Sequence, residues 1–390
     1  MQAKYRHGGY YPELLALLPV NLQEELLYLK NFFAPYTRRV YMVGGSVRDL
    51  LRNQIFHQNN AIVDLDLEVY GIDEDEFAKL MQKLGAKGVG KSFFVYKYKQ
   101  HIDISLPRIE SKVAKGHRGF AVQLAKDEKE ASMRRDFRMN ALMLNIFDGK
   151  LLDFWGGIED IMAKCIAIID EEKFKEDSLR VLRAMQFSAR FGYKIEQKSC
   201  QIMREMDLGD LSQERIFWEF EKMFLAKWLH YGLYYLLYLC ICQKIFGVKL
   251  DRVFFFTTAR ELVKSQKNFE EHLYKFYFLY IFTKNQHRSF QQFLDILHTP
   301  NEYYRAFKRQ KYLPRVRTNR FLAGLATNYP LQNYLGNYKE DVKIRAKQFG
   351  FWKEKFAPIK PAALLAQGYS GKELGQELRR RTLQIIRERF

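Results

Sequence analysis

Asp64 and Asp66, two residues apart, and Gly44-Gly45-Ser46 a short way before them are the residues whose types and spacing suit a reaction at phosphorus. Carboxylates are hard oxygen donors. Where the chain is extended, successive side chains alternate between faces, so Asp64, Asp66 and Glu68 share one face while Val63, Leu65, Leu67 and Val69 share the other. Two carboxylates on one face can grip one or two Mg²⁺ ions from the same side. The glycines do different work: a Gly-Gly-Ser turn that opens a helix lets backbone N–H groups approach an anion, and the helix terminus adds a favourable field. A phosphate cradle beside a metal-holding pair is the equipment for phosphoryl transfer.

The elements that must position these groups can be read from the same stretch. An apolar run over residues 40–43 predicts a strand, and residues 47–51 open the helix that follows the turn. Residues 62–70 predict a second strand. Two more strands fall within residues 89–107, joined by a lysine-rich turn, and Asp103 on the second is a candidate third carboxylate. Residues 109–125 are polar and punctuated by glycine, with Lys112, Lys115, Gly116, His117, Arg118 and Gly119 close together. Farther on, Glu176-Asp177-Ser178-Leu179-Arg180 reads as one helix, with Asp177 and Arg180 on one face and Glu176 a full turn from Arg180. An acceptor beside a two-donor fork can pair with the Watson–Crick edge of C or A, and Glu176 is placed to hold the fork.

Tyr41-Met-Val-Gly-Gly-Ser-Val-Arg-Asp49 followed by Asp64-Leu-Asp66 resembles the class II tRNA nucleotidyltransferase and bacterial poly(A) polymerase family, within the DNA polymerase beta superfamily. The resemblance continues through Arg134-Arg135-Asp136-Phe137-Arg138-Met139-Asn140, Asp153-Phe-Trp-Gly156-Gly157, Glu176-Asp177-Ser-Leu-Arg180-Val-Leu-Arg183 and Glu214-Arg215-Ile-Phe-Trp-Glu219. It implies an α/β nucleotidyltransferase head followed by an all-α neck, body and tail. It also implies template-independent addition of CCA to tRNA from CTP and ATP. In that reading Asp64 and Asp66 are catalytic and hold Mg²⁺, with Asp103 as a candidate third ligand. Gly44, Gly45, Ser46 and Arg48 bind the β and γ phosphates, and Asp49 orients Arg48. Arg135, Asp136 and Asn140 reach ribose and phosphate, and Glu176, Asp177, Arg180 and Arg183 serve the base. Poly(A) polymerase, a CC-adding or A-adding enzyme, and a dead RNA-binding relative are the alternatives. Gly90-Lys91-Ser92-Phe93 and the segment Leu364 to Leu378 favour CCA addition within the family.

Composition is consistent with that expectation. A net charge of +19 points to a polyanionic partner, here tRNA, and 24 Tyr and 32 Phe interleaved with Lys and Arg supply stacking surfaces or core. At 390 residues several cores fit, and the expected regions are 1–150 (head), 151–225 (neck), 226–345 (body) and 346–390 (tail). Pro is absent between Pro107 and Pro300, which suits a long helical remainder. Cysteines occur only at 165, 200, 240 and 242, without ligand spacing, so a reduced, cytoplasmic protein is expected. The longest apolar stretch, residues 231–242, falls short of the ~20 residues that span a bilayer and reads as a buried helix. No signal peptide, membrane association or protein partner is expected.

Overall fold

In the computed structural model the chain is described at residues 4–88, 95–112 and 120–390. Gly90-Lys91-Ser92-Phe93 and the centre of the polar loop, including Lys115, Gly116, His117, Arg118 and Gly119, lie outside the described residues.

The N-terminal half is built on a mixed sheet. Its strands are β1 (Val40–Val43), β2 (Leu65–Val69), β3 (Lys87–Gly88), β4 (Val95–Tyr98), β5 (Ile102–Ser105), β8 (Met143–Asn145) and β9 (Leu151–Leu152), in the order β3-β4-β5-β2-β1-β8-β9. β6 (Arg108–Lys112) and β7 (Phe120–Leu124) form a separate antiparallel pair, so both flanks of the polar segment are strands. β10 (Cys165–Ile166) and β11 (Lys194–Ile195) make a small parallel pair. Two registers decide the chemistry. β1 runs antiparallel to β2 with Val43 opposite Asp66, and β2 runs parallel to β5 with Asp66 opposite Asp103. The end of β1, where the glycine turn begins, therefore lies against the first carboxylates of β2.

Helices cover this sheet. In α1 (Val20–Phe33) Leu22, Leu26, Leu29 and Phe33 are buried at helical spacing, and Leu27 is exposed. α2 (Gly45–Phe56) begins directly after Gly44, two residues earlier than the apolar pattern suggests. α3 (Glu74–Lys83), α4 (Glu128–Met133) and α5 (Gly157–Ala163) follow. The expected helix through residues 176–180 is instead two: α6 (Glu171–Lys175) stops, residues 176–178 break, and α7 (Leu179–Phe191) begins.

By internal packing the chain divides into two compact units, residues 1–184 with 192–211, and residues 185–191 with 212–390. The expected neck region, 151–225, is shared between them. The first unit also contains α8 (Gln197–Glu205). The second is helical, with α9 (Gln213–Phe224), α10 (Leu229–Tyr238), α11 (Ile241–Phe246), α12 (Arg252–Ser265) and α13 (Tyr274–Gln286) ahead of shorter helices and a C-terminal helix, Gly371–Arg389. Aromatic rings fill it: Tyr277, Tyr280, Tyr303, Tyr334, Tyr338 and Phe224 are fully buried. Residues 231–242 fall in α10 and the start of α11, and among the described residues no helix is long and apolar enough to cross a membrane.

Candidate active site

Three carboxylates mark one edge of the β2 and β5 ends. Asp64 lies just before β2, is 77% exposed, and meets His101 Nδ1 at 3.3 Å. Asp66 and Asp103 are register neighbours on one face, and Lys97 stands 4.0 Å from Asp103. The Asp66 carboxyl titrates above the ordinary carboxylate range, through loss of hydration and then the charges of Asp103, Glu68 and Asp64, against the pull of Arg135. A divalent cation in contact would reverse that balance. Among the described residues no three acidic, His or Cys side chains converge as a complete metal cage. Such a partial set fits a hard divalent ion whose remaining oxygens come from a phosphate ligand and water.

The cradle meets this edge. Gly44 has φ 73° and ψ −130°, a conformation that only glycine adopts freely. A side chain there would also crowd the arginine: a Cβ would lie 3.0 Å from Arg135 Nη1 and 3.8 Å from Asp66 Oδ2. These two distances place the turn, the Arg135 cation and the Asp66 carboxylate at one point. No side chain caps α2 and its first turn holds no acidic residue. The amides of Gly45, Ser46 and Val47, which precede the first intrahelical bond from Arg48 N to Gly44 O, thus suit an anion. Ser46 turns its hydroxyl back to Val43 O at 3.3 Å.

Behind the cradle runs a buried polar network. Arg48 is 3% exposed. It donates through Nε and Nη2 to Asp49 at 2.9 and 2.8 Å, and through Nη1 to Asn140 Oδ1 at 2.6 Å. Asp49 therefore orients Arg48, as expected, while the Arg48 guanidinium is directed into the protein. Asn140 donates in turn to Asp136 Oδ1 at 2.8 Å, which also accepts from Phe137 N at 2.9 Å. Arg183 Nε donates to Asp136 Oδ2 at 2.6 Å. Burial would raise the Asp136 pKa, but Arg183, Asn140 and Arg180 outweigh it and hold the carboxylate below its ordinary range.

A second network anchors the paired arginines. Glu68 is 1% exposed and accepts from Arg134 Nη2 at 2.9 Å, Arg135 Nη2 at 2.7 Å and Tyr70 OH at 2.8 Å. Burial alone would push its pKa up; Arg135, Arg134 and the Tyr70 hydroxyl reverse the sign and keep it ionised. Arg134 is thus paired with a buried carboxylate rather than a surface one. Its carbonyl receives Arg180 Nη2 at 2.6 Å, and Lys173 O receives Arg180 Nη1 at 2.6 Å.

The residues expected to read the base are arranged differently from a single helix. Glu176 pairs with Lys173 Nζ at 3.0 Å, and Arg180 is held by the two carbonyls just named. Asp177 Oδ1 accepts from Leu179 N at 3.2 Å and Ser178 Oγ donates to Asp210. Short polar side chains that bond the local backbone compete with helix propagation, which accounts for the break.

Two further anchors, Asp153 and Glu68, were assigned no role from the sequence. Asp153 accepts from the amides of Gly156, Gly157 and Ile158 at 2.8–2.9 Å, filling the N-terminus of α5 with an internal anion. Gly157 is required because a Cβ would fall 2.3 Å from Arg138 O. Glu68 was visible on the Asp64 and Asp66 face, and the Arg134-Arg135 pair was the clue that a counter-charge was needed.

Comparison with known proteins agrees with this geometry. Residues 40–167 match the family model of the poly A polymerase head domain. The multifunctional CCA protein of Neisseria gonorrhoeae is 35% identical over 196 residues, which is 48% of this chain and 45% of that protein. This chain spans about half the length of the curated relatives it matches. A solved CCA-adding enzyme in complex with CTP superposes with TM-score 0.67 at 21% identity, over 97% of this chain and 94% of the other. One with ATP superposes with TM-score 0.67 at 19% identity, over 98% and 94%. The fold is therefore a nucleotidyltransferase head with a mixed sheet followed by a largely helical body.

Proposed function

We propose that this chain, which carries a poly A polymerase head domain over residues 40–167, completes the 3′-CCA of tRNA from CTP and ATP without a nucleic-acid template. The observation that carries the reading is the meeting of Asp66, the Gly44 turn and Arg135 at one point. The choice of CCA rests on the shared fold with CCA-adding enzymes solved with CTP and with ATP. Four free cysteines support a reducing, cytoplasmic setting.

In the reaction the terminal ribose 3′-oxygen bonds to the α-phosphorus as its hydroxyl proton passes to solvent, the bond from that phosphorus to the bridging oxygen breaks, and pyrophosphate leaves with the electron pair. Asp64 and Asp66, with Asp103 beside them, would hold Mg²⁺, which supplies neutralisation of charge on the attacking and leaving oxygens. The first-turn amides of α2 and the Arg135 guanidinium bind the β and γ phosphates. Arg48, held by Asp49 and Asn140, keeps the turn in shape. Asp136, fixed by Asn140 and Arg183, accepts from the ribose 2′-hydroxyl. Asp177 and Arg180 face the base edge, and the two carbonyls that pin Arg180 fix its fork before a base arrives, so little ordering cost remains on binding.

The test offers a tRNA ending at the discriminator base with CTP alone, ATP alone and both. Two added C residues from CTP and a terminal A only when both are present is the expected result. A long run of A from ATP alone would identify a poly(A) polymerase. Arrest after CC, or addition of A only to a CC end, would identify a partial enzyme. No Mg²⁺-dependent incorporation of any nucleotide would leave an RNA-binding protein.

A further inference from the structure

We propose that Glu68 is a positioning residue for nucleotide binding, acting through Arg135; the inference rests on the reading of Arg135 as a triphosphate ligand. β2 carries Asp66 and Glu68 on one face, and their environments are opposite. Asp66 opens to solvent at the glycine turn, while Glu68 is enclosed, with Oε1 taken by Arg134 and Arg135 and Oε2 by Tyr70.

The Arg135 guanidinium lies between them. Its Nη2 is bonded to Glu68 at 2.7 Å, and its Nη1 reaches the space above Gly44, with Asp66 Oδ2 close to the same point. Arg135 Nε is buried with no hydrogen-bond partner, so among the described residues the bond to Glu68 is the side chain's one hydrogen bond. Glu68 thereby decides where the free end points. Without it a loosened Arg135 still has the Asp66 carboxylate close by, and a cation paired there would block the group that holds the metal while leaving the cradle. Planar guanidinium is suited to this division, with one nitrogen anchored and the other presented. Tyr70, itself packed edge-on against Tyr41, fixes the second oxygen and so the plane of the carboxylate.

The experiment is a double-mutant cycle on the full chain with Glu68→Gln, Arg135→Ala and the combination. It reads ATP binding by equilibrium dialysis without tRNA, and KM and kcat with tRNA. Glu68→Gln is expected to weaken ATP binding and raise KM about tenfold, with a smaller fall in kcat, because a charge-assisted bond that orients the ligand's cation is lost. In the Arg135→Ala background the same change should have no further effect on ATP binding. Should Glu68→Gln not fold, judged by circular dichroism, Glu68→Asp replaces it: the charge stays buried but the acceptor retreats, and the same loss of ATP binding is expected. Unchanged ATP binding in the folded variant, or a loss that persists undiminished without Arg135, overturns the proposal. The dialysis arm needs no tRNA turnover, so a chain that binds ATP through Arg135 but adds no CCA refutes the functional reading and leaves the role of Glu68 standing.

Discussion

Each compact unit buries a network of charges, and the two differ in what borders it. In the first, Arg48, Asn140, Asp136 and Arg183 form a chain of hydrogen bonds, and the site it supports ends at Asp64 and Asp66, open to solvent. In the second, Glu261 receives Lys284 at 2.8 Å, Lys339 at 2.9 Å and the Tyr338 hydroxyl at 2.9 Å, and Tyr338, Tyr280 and Tyr277 pack around it with their rings buried. A closed network can only stabilise or specify packing. A network that backs onto exposed carboxylates and uncapped amides is a scaffold for a ligand. The separation of duties predicts which substitutions cost activity, which cost stability and which cost both.

The sharpest test lies at the open edge. Asp66→Ala should lower nucleotide addition about a thousandfold or more, while urea unfolding shows stability unchanged within ~0.5 kcal/mol, since the side chain belongs to no internal network. Substantial residual turnover would remove Asp66 from the chemistry.

Next in size, Arg48→Ala removes a guanidinium that is almost wholly enclosed and leaves Asp49 and Asn140 without it. Unfolding should become easier by about 3–5 kcal/mol, together with loss of activity, because the cradle and its support are one structure. A variant that loses activity at full stability would place Arg48 on the ligand instead.

In the second unit the expected loss is in stability alone. Burial pushes the Glu261 pKa up, but Lys284 and Lys339 outweigh it and hold the carboxylate at about 2, below its ordinary 4.5. A depressed carboxylate pKa contributes stability that is present above about pH 4.5 and disappears as the pH falls through about 2. Wild type should therefore exceed Glu261→Gln by on the order of 2 kcal/mol at pH 7, with the gap closing below pH ~4 in parallel denaturation series. A gap independent of pH would assign the difference to packing.

The smallest effect is expected at the helix break. Asp177→Ala should relax the preference for CTP and ATP over UTP and GTP about tenfold, measured as the ratio of kcat/KM values, with less change in rate for the best substrate. Equal loss with all four nucleotides would make Asp177 a structural residue of the turn.

Much of the head was legible because it depends on local chemistry. Gly44 must be glycine for its backbone angle, and the alternation over residues 62–70 put Asp66 and Glu68 on one side, as the register of β2 bears out, while the strand begins at Leu65 and leaves Asp64 just outside it. Asp103 was placed near the carboxylates from its strand alone, and the parallel pairing of β2 with β5 sets it opposite Asp66. The boundary between α6 and α7 was missed because residues 176–180 have helical spacing. The competing bond from Leu179 N to Asp177 is a local event that periodicity does not register.

The sequence by itself determined the residue types, their order and the faces they share, since these follow from periods of two and 3.6 residues and from glycine stereochemistry. Only the tertiary structure decided that Arg48 answers to Asn140, ninety-two positions away, that Glu68 is enclosed while Asp66 is open, and that Arg180 is clamped by the carbonyls of Lys173 and Arg134. The reason is that burial and partnership are set by which strands pair and what packs over them. A carboxylate two residues from its twin on the same strand meets water or two guanidiniums according to neighbours that the strand itself does not encode.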